Sequence, residues 1–280
     1  MQKLFIAITL LALSVVLGLV GADAEANPGD VAPPDATARL TNPPAPAPGA
    51  FKKEQLRYSR VRDAEARRRE AVVDAFLNVG LTYPPKEIYL RSLKQDYKLE
   101  LWARGSNQGR FTKVKSFDVC ALSGDLGPKR RQGDGQVPEG FYTVDRFNPA
   151  SNFLLSLGLN YPSDSDRVLG TSGRLGGDIF IHGGCATIGC IPIGDTAIRE
   201  LYLVAIDSRD GGQRHIPVHI FPTAMTDSAL TQLKADHPSE PALLSHWENI
   251  KAGWDLFEST NIPPKVSVAA DGSYRFSAGK

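Results

Sequence analysis

From residue 87 to residue 221 the chain repeats one pattern: short runs of β-forming or alternating apolar and polar residues, separated by turn residues. EIYLRSL, YKLELWA, FTKVKSFDVCAL and GFYTVDRF open the series, DIFIH at 178–182 is shorter and more apolar, and RHIPVHIF at 214–221 closes it. Successive side chains of a strand point to opposite faces, so such runs belong in a sheet with at least one buried face. One helix interrupts the series. Asp195 can cap a segment running to about Ser208, with Ile198, Leu201, Tyr202 and Ala205 on one face. After residue 222 come two helical stretches, near 226–236 and 240–258, and a hairpin, KVSVAADGSYRFS, turning at Asp271-Gly272. The expected fold class is therefore α+β: a β-rich core of two packed sheets, a charged N-terminal helix and a C-terminal helical extension. No internal repeat is visible.

What precedes the strands has a different character. MQKLFIAITLLALSVVLGLVGADAEA carries Lys3, then an apolar stretch, then small residues in A-x-A form, the layout of a secretory signal cut after Ala24 or Ala26. The expectation is an exported protein of the periplasm or cell envelope. Residues 27–50 are dominated by proline and alanine and read as an extended tether. Residues 51–79 contain no proline and alternate Arg and Lys with Glu and Asp, predicting one helix ended at Gly80 and Pro84-Pro85. Its Arg67-Arg68-Arg69 cluster reads as a solvated face. The net charge is +1, which gives no reason to invoke nucleic acid. The chain is expected to act as a monomer.

Three cysteines in an exported chain leave at least one thiol unpaired. Two of them lie in 179-IFIHGGCATIGCIPIGD-195. Serine acylation is disfavoured, since there is no G-x-S-x-G elbow and the one S-x-x-K falls on the last four residues. A structural zinc site needs four ligands, and His182, Cys185 and Cys190 make three at loose spacing. No metal and no cofactor is expected. A Cys185–Cys190 disulfide would close a four-residue loop and remains a possible oxidised state. The remaining reading is a Cys/His pair, in which the imidazole draws the proton from a thiol. His182 ends a strand, and Gly183 and Gly184 carry the chain away from it. Gly189 permits a tight turn in which the amides of Gly189 and Cys190 face a developing oxyanion. Cys190 is accordingly the expected nucleophile, with Cys185 beside it.

These residues resemble the catalytic motif of the L,D-transpeptidase (YkuD-type) family, I-H-G followed at a distance by S/T-x-G-C. Here they are Ile181-His182-Gly183 and Thr187-Ile188-Gly189-Cys190. The resemblance implies an L,D-transpeptidase-like core, His182 as base, Cys190 as nucleophile, the Gly183 carbonyl orienting His182, and Thr187 at the small hydroxyl position. Ile188 stands where many members carry histidine, and the insert between the two halves is short. Those features and Cys185 resemble a murein transpeptidase sub-branch, as do 127-GPKRRQGDGQVPEGFYTVDRFNP-149 and 156-SLGLNYPSDSDR-167. The implied organisation is a signal peptide at 1–24, a linker at 25–50, the charged helix at 51–84, the catalytic domain at 85–222 and the extension at 223–280.

The activity implied is acyl transfer on peptidoglycan stem peptides through a Cys190 thioester. The acceptor is a second stem, an envelope protein or water; water would make the enzyme an amidase or L,D-carboxypeptidase. The other class is a non-catalytic peptidoglycan-binding module with Cys185 and Cys190 oxidised. Substrate-binding candidates are Thr187 and Cys185 next to the expected nucleophile, and Arg130 and Arg131, with Lys129, in a glycine-rich loop. Tyr142 and Arg146 are expected on one strand face, one of them lining the cleft. His215 and His219 share another strand face and are expected to have structural or surface roles.

Overall fold

The structure, a computed structural model, describes residues 49–171 and 173–279. The signal peptide and nearly all of the linker therefore lie outside the described residues. In chain order the elements are α1 (Ala50–Gln55), α2 (Ser59–Leu77), β1 (Glu87–Leu93), β2 (Lys98–Arg104), β3 (Thr112–Asp118), β4 (Gly140–Asn148), β5 (Ser156–Leu159), α3 (Asp164–Leu169), β6 (Phe180–His182), β7 (Ile191–Pro192), α4 (Gly194–Asp210), β8 (Ile216–Phe221), α5 (Asp227–Asp236), α6 (Pro241–Thr260), β9 (Lys265–Val268) and β10 (Tyr274–Ser277).

The fold is α+β, but the two packed sheets expected from the sequence are replaced by one. Eight strands join in the order β3-β2-β1-β8-β4-β5-β6-β7, and β9 and β10 form a separate hairpin. The join is β8, which pairs parallel with β1 and antiparallel with β4, so both halves of the chain share one sheet. Both faces are covered, one by helices and the other by the extension. Ile88, Leu90, Tyr142, Val144, Val218 and Ile220 belong to a large core with residues of α2 and α4. Leu93, Phe141 and Phe221, of opposite parity, pack with Trp247, Ile250, Trp254 and Tyr274 of α6 and the hairpin. A sheet covered on both sides has little need for strict alternation, and β1 is accordingly buried at six successive positions.

The predicted helix over 51–79 is broken into α1 and α2. Tyr58 is extended (φ −84°, ψ 131°), and Arg62 Nη1 donates to the carbonyls of Leu56 (3.0 Å) and Arg57 (2.6 Å). A side chain that satisfies the carbonyls at the break removes the penalty for ending α1 there. The free amides of α1 are capped from elsewhere: Gly49 N and Lys52 N donate to the carboxylate of Asp210 at 2.9 and 3.0 Å.

The arginine cluster is not a solvated face either. Arg68 pairs with Glu200, and Arg69 bridges Glu65 and Asp207, both at 2.5 Å; only Arg67 stays on the outer face, with Asp63. Lys115 and Lys52 complete the inner pairs, at 2.5 Å to Glu200 and 2.8 Å to Asp207. Glu200 and Asp207 are buried on α4, and a buried carboxylate needs such partners. The alternating charges therefore dock α2 onto α4. Sandwiched between α2 and the sheet, α4 is buried almost all round, beyond the single face read from its periodicity.

Candidate active site

Strand pairing brings the two halves of the Cys/His motif together. β6 ends at His182, and β7 begins directly after Cys190. The two strands pair in parallel, Ile181 with Ile191 and His182 with Pro192. The loop 183–190 thus leaves and returns to adjacent strands. Phe180 N donates to Cys190 Sγ at 3.4 Å, and the thiol reaches Asp178 O at 3.5 Å.

His182 is 2 % exposed and stacks on Phe153, with ring centroids 4.4 Å apart at 27°. Its Nδ1 lies 2.5 Å from Gly183 O. A carbonyl only accepts, so Nδ1 carries the proton and Nε2 keeps its lone pair. Burial lowers the imidazole pKa, opposed by the Gly183 carbonyl. Burial raises the pKa of the Cys190 thiol; the Phe180 amide opposes that, and the Asp178 charge adds to it. The resting pair is therefore a neutral thiol and a neutral imidazole.

The glycines have separate physical reasons. A Cβ on Gly183 would stand 2.7 Å from both Asp195 Oδ1 and Phe153 O. Gly189 has φ +131°, and a Cβ there would be 3.1 Å from Gln136 O. Asp195, expected to cap the helix, lies in the first turn of α4 and accepts instead from Gly184 N at 2.9 Å. Thr187 organises the turn before Cys190. Its Oγ1 accepts from Gly189 N (3.2 Å) and Cys190 N (2.8 Å) and donates to Cys190 O (2.9 Å). The two amides read as oxyanion donors are thus held by Thr187 in this state. Ile188, at the tip, is 89 % exposed.

Cys185 is corrected on two counts. It is bonded to Cys120, 65 residues away, with Cα atoms 5.5 Å apart, and Cys190 is the free cysteine. The Cys185–Cys190 disulfide is therefore excluded here, and Cys185 has no thiol to offer a substrate. The bond ties the catalytic loop to the end of β3, where Cys120 N also donates to Pro192 O at 3.0 Å. Residue spacing carried no signal for this pairing, because the four-residue loop was the local alternative.

Tyr142 and Arg146 do not share a face. The β4–β5 register shifts between Val144 and Arg146, and such an irregularity breaks the alternation. Tyr142 is buried, its hydroxyl 3.3 Å from Asp166 Oδ1. Arg146 is exposed, lies over the Phe180 ring and donates to Asp178 Oδ1 at 2.9 Å, placing it beside the two residues that touch Cys190 Sγ. In the glycine-rich loop, Lys129 is buried against Asp134. Asp134 also accepts from the amides of Arg130 and Arg131, both at 3.0 Å. Arg130 Nη1 is 3.4 Å from Asp166 Oδ1, and Arg131 is exposed. His219 is buried between Tyr89 and Phe141, its pKa lowered to about 3 by burial, while His215 is exposed. Among the described residues no group of three or more His, Cys, Asp or Glu side chains is placed to hold a metal ion.

Residues 88–220 match the model of the YkuD family, the L,D-transpeptidase catalytic domain. The Escherichia coli K12 protein named "Putative L,D-transpeptidase YafK" is 34 % identical over 183 residues, which are 65 % of this chain and 70 % of that protein. The chain belongs to the L,D-transpeptidase family. The match in Escherichia coli O157:H7 has the same extent and identity. Among solved structures, the helical cell shape determining protein Pgp2 of Campylobacter jejuni aligns at 18 % identity with a TM-score of 0.39, covering 65 % of this chain and 73 % of that one. Bd1075 of Bdellovibrio bacteriovorus aligns at 17 % with a TM-score of 0.36, covering 67 % and 76 %. Membership of the L,D-transpeptidase family supports a transpeptidase role in peptidoglycan chemistry. The family model ends at the last residues of β8, so α5, α6 and the hairpin lie beyond it. No helix among the described residues is long and apolar enough to cross a membrane.

Proposed function

We propose that the chain catalyses acyl transfer on peptidoglycan stem peptides, with Cys190 as nucleophile and His182 as base. One observation carries the reading. The free cysteine directly precedes the strand paired to the one that ends at His182, and that imidazole is held in the tautomer that leaves Nε2 free to take a proton. A non-catalytic module has no use for a fixed tautomer, and its expected oxidised pair does not form.

The thiol proton passes to His182 Nε2 as Sγ attacks the carbonyl of the L-centre of a diamino acid. The carbonyl π pair moves to oxygen, and amides of the Thr187–Cys190 turn receive the oxyanion as Thr187 yields them. Collapse expels the amine of the terminal D-residue, which takes the proton from His182. A thioester remains. An acceptor amine, on a second stem or on an envelope protein, gives its proton to His182, attacks the thioester and releases the Cys190 thiol. Water as acceptor gives a shortened stem by the same route. The chemistry is set in the periplasm or cell envelope, where peptidoglycan lies.

The test is mass spectrometry of peptidoglycan fragments after incubation with the enzyme, with Cys190→Ala alongside. Dimers linked between two diamino acids, with loss of the terminal D-residue, identify an amine acceptor. Stems that have lost that residue and gained one water identify hydrolysis. Equal products from wild type and Cys190→Ala would end the acyl-enzyme reading.

A further inference from the structure

A cleft of about 700 Å³ opens between the loop that begins at Leu126, helices α3 and α6, and the C-terminal hairpin. Its walls are rigid for a definite reason. Glu139, wholly buried, accepts from Gly127 N at 2.7 Å, from Trp247 Nε1 of α6 at 2.8 Å and from Lys94 Nζ at 3.0 Å. The same lysine also donates to the carbonyls of Asp125, Gly127 and Val137 at 2.9, 3.0 and 3.1 Å. The loop and the extension are thus stitched together by a buried, fully partnered charge pair. An ion pair so far from solvent adds little net stability but fixes geometry.

The cleft reaches the catalytic turn through one residue. Gln136 lines it, and Gln136 O is the atom that a Cβ on Gly189 would meet at 3.1 Å. The cleft and the turn before Cys190 therefore flank the same residue, Gln136. The lining offers both signs of charge. Arg130 contributes a guanidinium whose one ion-pair contact among the described residues, to Asp166, is a long 3.4 Å. Glu240 and Asp271 contribute carboxylates on the extension side, where their local partners are His237 and Ser273. His246 is 8 % exposed, and its Nε2 has no hydrogen-bond partner. A buried polar atom left unpaired is costly, which marks it for a ligand.

We propose that this cleft is a second substrate subsite, built jointly by the catalytic domain and the C-terminal extension, for the zwitterionic amino-acid end of a peptidoglycan stem peptide. Arg130 receives its carboxylate, the carboxylates opposite receive its ammonium, and His246 Nε2 gains the partner that the free protein lacks. The assignment rests on the acyl-transfer reading above. It gives the extension, which lies outside the family domain, a role in choosing the substrate.

The experiment uses the full chain with Cys190→Ala, so that bound peptide is not consumed, and calorimetric titration with a synthetic stem tetrapeptide containing a diamino acid with free amine and carboxylate. Ala242 lines the cleft on an exposed first-turn position of α6, so Ala242→Trp fills the space while leaving the core intact. The expected result is binding that weakens at least tenfold in Ala242→Trp. Amidation of the peptide carboxylate should weaken it comparably, and Arg130→Gln should abolish that discrimination. No binding, or binding indifferent to Ala242→Trp, would overturn the subsite. The acyl-transfer reading fails separately: wild type that forms no Cys190 thioester at saturating peptide argues against it. Thioester formation with an unchanged KM in Ala242→Trp argues against the subsite alone.

Discussion

At the scale of single residues, the proposed mechanism starts from proton transfer between neutral partners. With the thiol held above its usual range and the imidazole below its own, both shifts work against a thiolate–imidazolium pair. Alkylation of Cys190 by iodoacetamide should therefore rise with pH through an inflection above that of an ordinary thiol; a plateau at neutral pH would show a preformed ion pair. Thr187 makes a second, independent prediction. Its hydroxyl holds both amides before the sulfur and the carbonyl after them. Thr187→Val, which removes the hydroxyl that shapes the turn rather than an oxyanion donor, should lower kcat by less than the about 100- to 1000-fold that loss of such a donor costs. Thr187→Ser should restore most of it, and unchanged kcat in Thr187→Val would remove the turn from the mechanism. That His182, Gly183, Gly189 and Cys190 come together was legible because the motif joins two segments that flank paired strands. The orientation of Arg146 was not legible, since a local irregularity of β4, invisible in residue type, decided which way it faces. Gln136 was missed altogether. It carries no reactive group and reaches the catalytic turn through a backbone carbonyl, for which its side chain gives no signal.

At the scale of elements, β1 came out at the boundaries read from the sequence, and β4, α4, α5 and the C-terminal hairpin lay within a few residues of theirs, because alternation, caps and turn residues act locally. What depends on distant partners was not legible. β5 and β7 are four and two residues long, too short to show a period, and are strands only because β4 and β6 offer them hydrogen bonds. The break between α1 and α2 depends on Arg62 reaching two carbonyls, and a propensity scale reads those residues as continuous helix. The Cys120–Cys185 bond is the strongest case, since three cysteines allow three pairings and the structure uses the one closing the 65-residue interval. It predicts that unfolded, unreduced protein titrates one thiol and reduced protein three. Cys120→Ser should cost about 2–5 kcal/mol, measured by urea denaturation under oxidising conditions. Two reactive thiols in unfolded, unreduced Cys190→Ala would show that the bond does not form.

At the scale of the whole molecule, one sheet with helices on both faces buries histidines on each side, and this sets how the fold responds to acid. His182 lies by the catalytic loop, His219 under α6, and His246 on α6 itself. Burial lowers all three pKa values, to about 3 for His219 and about 4 for His246. In the unfolded chain they titrate near about 6.5. Above that pH neither state holds these protons, and the histidines leave stability independent of pH. As pH falls below it the unfolded chain takes up protons that the folded chain refuses, so stability is lost progressively toward pH 4. The slope is about 1.4 kcal/mol per pH unit for each histidine concerned. Asp166, held above its ordinary value by burial, acts in the opposite sense. The aromatic surroundings of His219, from Tyr89, Phe141 and Phe221, suit a phenyl ring of similar size, so His219→Phe isolates one contribution. Its urea-unfolding free energy should fall less steeply between pH 6.5 and 5 than that of wild type, by about 1.4 kcal/mol per pH unit. Parallel curves for the two proteins would mean that His219 takes up its proton without unfolding, and that the acid sensitivity of the fold lies elsewhere.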